Sequence, residues 1–140
     1  MDIELDRLIL IVTGAHLHAE AEDRPVAYRL QRALQDRVET RGGRVLVCSD
    51  VWYMNNEQLR PCPTVSVGGP AVNAVSAYLA DKLPSAFVVD GKVIVQADPD
   101  FDEAVACCWG SDGLSTGNAV GVFAERYMDG FLEAAARDWS

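Results

Sequence analysis

Three observations on this 140-residue sequence predict an α/β fold, a three-layer Rossmann-like domain spanning residues 1–140. Short apolar or β-branched runs recur at 8–12, 44–48, 64–67 and 104–109, and amphipathic stretches with helical spacing separate them. Each of these runs ends in a loop rich in Gly, Ser, Thr, His or Asp. Asp90-Gly91, between two β-branched runs, adds a hairpin at 87–95. The expected sheet has about four mainly parallel strands in the order second, first, third, last, with the hairpin at one side.

Taken in order, Leu-Ile-Leu-Ile-Val at 8–12 is continuous, as expected of a strand covered on both faces. The segment from Thr13 to Asp23 reads as a long polar connection. Asp23 before Arg24-Pro25 predicts a helix start with Asp as N-cap, and Ala27, Leu30, Leu34 and Val38 carry its apolar stripe through about Thr40. Gly42-Gly43 stops it. The second strand, 44–48, then closes a right-handed βαβ crossover. Residues 54–63, with two asparagines and two prolines, read as irregular with room for a short helical turn.

The third strand, 64–67, runs into Gly68-Gly69-Pro70, where two glycines permit a sharp turn and Pro70 is preset for a first helical turn. Val72, Val75, Leu79 and Leu83 give that helix its stripe, and Pro84 follows its end. Residues 96–102 are acidic and turn-rich, and 104–109 read as the last strand, with one helix turn after Pro99 as the alternative. In the glycine-rich loop 110–117, Ser115 or Thr116 can cap a final helix with Val120, Phe123, Tyr127, Phe131 and Ala135 on one face. Close helix packing would account for Gly121 and Gly130 within it.

With 21 acidic and 12 basic residues the formal charge is −9, so no basic excess exists to displace counterions from nucleic acid or an anionic membrane. The start of the chain is acidic where a signal peptide is basic, and no run approaches a membrane span; a cytoplasmic protein is expected. Cys48, Cys62, Cys107 and Cys108 show no zinc-site spacing and read as reduced structural thiols, with Cys107 and Cys108 on opposite strand faces.

The candidate site collects at the strand ends. Gly68, Gly69 and Asn73 would offer amides at a helix N-terminus, where the backbone dipole favours an anion, facing Thr13 and Gly14 across a crevice. His16 and His18, with Glu20, Glu22 and Asp23 nearby, have the chemistry of a general base or a divalent-metal pair. No third ligand has a metal-site spacing, so no metal is assigned, and no cofactor is specified. Asp50 and Asp112 are strand-end acids, Trp52 is an aromatic platform, and Thr116 lies in the last polar loop. Arg24 could reach a bound anion. No nucleophile elbow occurs.

Two pieces carry a resemblance. Val67-Gly-Gly-Pro-Ala-Val-Asn73 and Gly110-Ser-Asp-Gly-Leu-Ser-Thr116, the latter leading into a helix, resemble the Gly-Gly-Pro-x-x-Asn and Gly-x-Asp-x-x-x-Thr motifs of the archaeal S-layer protein family. The resemblance covers about a third of the chain and implies a small α/β module with loops at 68–73 and 110–116. This chain departs from that family in its length and in its His-containing first unit, so a cell-surface role does not follow.

The first functional expectation is a binding domain for a small anionic ligand, a nucleotide or phosphate-bearing metabolite. The second is a hydrolase or transferase using His16 or His18 with Asp50 or Asp112. The third is an assembly module forming a homo-oligomer through the 87–95 hairpin.

Overall fold

A computed structural model describes residues 5–90 and 92–139. Six strands form one mostly parallel sheet: β1 (Leu8–Thr13), β2 (Arg44–Ser49), β3 (Thr64–Val67), β4 (Ser85–Val89), β5 (Val93–Ala97) and β6 (Val105–Gly110). Their spatial order is β2-β1-β3-β6-β5-β4. The β2-β1, β1-β3 and β3-β6 pairs are parallel, and β5 joins β6 and β4 antiparallel. The fold class is α/β. The chain reverses its direction of travel between β1 and β3, whose registers pair Thr13 with Val67.

All six β1 residues are buried, which explains the unbroken apolar run: alternate side chains enter two different cores. Ile9 and Ile11 join one core with α2 (Arg24–Val38), α5 (Gly113–Val122) and α6 (Met128–Ala135). Leu8, Leu10 and Val12 join the other with Tyr53 of α3 (Asp50–Met54) and Val75 and Leu79 of α4 (Ala74–Ala80). Cys107 and Cys108 part in the same way, one into each core. All four thiols are free and buried, and burial pushes Cys48 up to about 12 and Cys107 to about 11, so neither is a nucleophile near neutral pH.

Several expectations need correction. The segment 13–23 is not an extended polar connection, because α1 (Leu17–Glu22) fills it and buries Ala19. Residues 54–63, by contrast, have the short helical turn expected there, a 3-10 turn at Glu57–Leu59 after the end of α3, with Leu59 and Cys62 buried. Pro70 does not open a helix: Val72 and Asn73 donate to the Gly69 carbonyl in a turn, and α4 begins at Ala74. The final helix is interrupted by a π-helical stretch, Phe123–Tyr127, between α5 and α6. Gly130 does lie against Phe101, whose ring would be 3.1 Å from an added Cβ, whereas Gly121 has nothing within 4 Å.

The hairpin β4-β5 lies at the sheet edge, with Val89 registered against Val93. The expected Asp90-Gly91 turn falls partly on Gly91, which is outside the described residues; Asp90 has φ 51 and Lys92 N–H donates to the Val89 carbonyl at 2.8 Å. The acidic first four residues lie outside them as well. No described helix is long and apolar enough to cross a membrane.

Candidate functional site at the carboxyl ends of the strands

The loops that follow β1, β2, β3 and β6 gather at one end of the sheet, but the gap between the ends of β1 and β3 is closed. Asn73 is the N-cap of α4 and is 1% exposed. Its Nδ2 donates to the Val12 carbonyl near the end of β1 (3.1 Å) and to the Val67 carbonyl at the end of β3 (3.0 Å). Its Oδ1 accepts from Val75 and Ser76 N–H at 2.9 and 3.2 Å. The amide therefore has its two donors and its acceptor engaged within the fold. Gly14 packs on the Val72 carbonyl so closely that a Cβ there would overlap it. Gly14 thus touches the 68–73 loop at Val72, and Asn73 acts as a staple within the fold.

Asp50 completes the staple. Its Oδ1 accepts from Ala15 N–H (3.1 Å) and from Val51 N–H (2.7 Å), and its Oδ2 accepts from Ala74 N–H (2.8 Å). One carboxylate thereby ties the β1 loop to the starts of α3 and α4. The first four backbone N–H groups of α4 all have partners, since Ala77 donates to the Asn73 carbonyl. Gly68 N–H donates to the Cys108 carbonyl at 2.9 Å. The anion at the start of α4 is Asp50, held there through Ala74 N–H and not through the glycine loop.

Asp23 is the residue that the sequence reading assigned differently. It makes no side-chain cap bond, and its φ −93 and ψ −35 continue the helical path from α1 into α2. It is 2% exposed. Its carboxylate instead lies over Gly68, where an added Cβ would be 2.5 Å from Oδ2; Gly68 has φ +114, which only glycine adopts readily. Among the described residues no hydrogen bond or ion pair reaches this carboxylate, although its oxygens keep a sliver of solvent contact. Burial raises its pKa from 3.8 to about 6, the His18 charge lowers it and the Glu22 charge raises it. A signal for this placement exists in the sequence: stepping back from Leu34, Leu30 and Ala27 by helical turns reaches Asp23 and then Ala19, all buried.

The remaining candidates divide by role. His16 caps α1, its Nδ1 accepting from His18 N–H at 3.1 Å, so the two imidazoles do not share one side of an extended segment; both are exposed. Thr13 is buried, and its Oγ1 accepts from Arg24, which also reaches Glu20 and the Tyr28 hydroxyl. Trp52 is 37% exposed at the start of α3. Asp112, not Ser115 or Thr116, caps α5: its Oδ1 accepts from Ser115 N–H at 2.8 Å, a bond that lowers its pKa. Thr116 is buried and accepts from Gly110 N–H at 3.2 Å, fastening the last loop to the strand it leaves. Beside it, Glu22 stands where a Cβ on Gly113 would collide with its carboxylate. Gly69 lies 3.6 Å, measured from an added Cβ, from the ring of Trp109.

Larger surface depressions occur at the opposite, amino end of the strands. One of about 700 Å³ is lined by Arg60, Pro61 and Trp139 among others, and one of about 420 Å³ by Arg41, Phe101 and Arg137. None of the site residues above lines them. No described group of three His, Cys, Asp or Glu side chains is placed to hold a metal ion.

No protein-family signature matches this sequence, and no curated protein does.

Proposed function

We propose that the chain is a Rossmann-like domain that binds a small molecule at the carboxyl end of the sheet, on the α2 side of β3, around Asp23 and Gly68. One observation carries this reading: Asp23 is a buried carboxylate without a hydrogen-bond partner, at the place where α/β sheets hold ligands. A nucleotide or phosphate seated on the Gly68–Asn73 loop draws less support, since the first-turn amides of α4 serve Asp50 and Asn73. Catalysis through Asp50 draws less as well, because three backbone N–H groups already occupy its oxygens. The assembly reading keeps one specific observation, an outer strand β4 with Val88 and Val89 50% and 45% exposed.

Amide chemical-shift mapping of the intact chain against metabolites of varied charge tests the proposal. A binding compound should move the amides of Glu22, Asp23, Gly68 and Gly69, and the binding should weaken in Asp23→Asn. Binding that maps to the amino-end depressions, with Asp23→Asn behaving as wild type, would sink it. A silent panel together with a dimer that Ile94→Lys dissociates would favour assembly instead.

A further inference from the structure

Resting on that site reading, we infer that Asp23 and Glu22 form the anionic half of a site for a small cation, either a divalent metal ion or the ammonium or guanidinium group of a ligand, between the loops that follow β3 and β6. The placement of the two carboxylates is the first argument. Asp23 lies over Gly68, where φ +114 and the carboxylate both favour glycine, and the exposed Glu22 carboxylate lies against Gly113. The two acids are adjacent in the chain, yet each meets the head of a different strand-end loop. Gly69 and the Gly110 carbonyl lie between those heads, 4.0 Å apart when measured from an added Cβ on Gly69.

The absence of an internal counterion is the second. Among the described residues the ion pairs are Arg24–Glu20 and Arg37–Asp129, so neither Glu22 nor Asp23 belongs to one. Arg24, next in sequence to Asp23, is turned to Glu20, Tyr28 and Thr13. The charged groups around Asp23 are His18 and Glu22 on α1 and Arg24 on α2, while β3 presents only the backbone of Gly68. A carboxylate in so buried a place carries a charge that is costly until something of opposite sign reaches it. A cation with its own waters or N–H donors would meet both the charge and the empty acceptor positions.

The test follows thermal unfolding of the full chain with MgCl2, CaCl2, arginine and spermidine, each against NaCl at equal ionic strength. At neutral pH at least one probe should raise Tm saturably beyond NaCl. Asp23→Asn should weaken that probe about tenfold or more, the equivalent of one charge-assisted contact, and Glu22→Gln by a smaller factor. The metal and amine arms identify the source of the cation. Asp23→Asn relieves a buried charge, so a folded variant is expected, and circular dichroism checks it. No probe exceeding NaCl, or equal binding by Asp23→Asn, would overturn the inference. A neutral or anionic compound whose binding needs Asp23 would overturn the cation while leaving the site in place. A ligand indifferent to Asp23 would overturn both.

Discussion

Replacing Asp23 by Asn should stabilise the protein at neutral pH and lose that advantage in acid. The folded carboxyl has its pKa raised from 3.8 to about 6, chiefly by burial. A raised acid pKa means that the folded state binds its proton more tightly than the unfolded chain does. The ionised group is therefore a liability above about pH 6, a shrinking one between about 6 and 4, and none below. At about 1.4 kcal/mol per pKa unit the full penalty is at most about 3 kcal/mol. Asn keeps the shape but brings an amide that also lacks partners, which returns about 1–2 kcal/mol of it. A net gain of about 1–2 kcal/mol is left near pH 8, a rise of several degrees in Tm for a chain of this size. Urea unfolding of both proteins near pH 8 and near pH 4 reads the difference directly. If Asp23→Asn destabilises near pH 8, or if the difference is the same at both pH values, the carboxylate has a partner that the geometry does not contain and the reasoning fails.

Two other outcomes follow from the same packing. Asn73→Ala removes a cap and strands the Val12 and Val67 carbonyls, so it should cost about 2–4 kcal/mol in urea unfolding. Asp50→Ala should cost a similar amount, and the double variant less than the total of the two, because both serve the first turn of α4. Gly121→Ala should gain up to about 1 kcal/mol in thermal unfolding, since the position is helical and open, whereas Gly130→Ala should forfeit that gain against the Phe101 ring.

Much of the α/β layout was legible because it rests on period and punctuation. The run at 8–12 had no polar alternation, which only a strand between two helical layers satisfies. Asp90-Gly91 separated the hairpin from the parallel strands, and β4-β5 is the antiparallel pair it implied. Helix starts were less legible, for a physical reason. Asp, Ser, Thr and Asn cap equally well by composition, so Asp23, Ser115 and Thr116 were read as caps where His16, Asn73 and Asp112 do that work. Which oxygen meets the first-turn N–H groups depends on backbone direction one residue earlier, and a single sequence does not display it. The π-helical stretch at Phe123–Tyr127 was hidden similarly, because one extra residue in a turn leaves the apolar stripe almost intact.

The candidate site was legible by place and misread by charge. A glycine-rich strand-to-helix loop signals N–H groups that want an anion, but here Gly68, Val72 and Asn73 donate to backbone carbonyls and the anion meets the next residue, Ala74. The sequence had no way to announce that the anion comes from another strand end. Asp50 reaches across from the end of β2, and its three N–H donors turn a ligand-type loop into a joint between α3, α4 and the β1 loop. Asp23 stands in the opposite condition at the same end of the sheet, buried and, among the described residues, without a hydrogen-bond donor or ion pair. Two acids that look alike in sequence thus differ in what they can still do: one has its acceptor positions taken by backbone, the other has them vacant. A ligand adds most where the fold has left a charge unanswered, and that criterion selects Asp23.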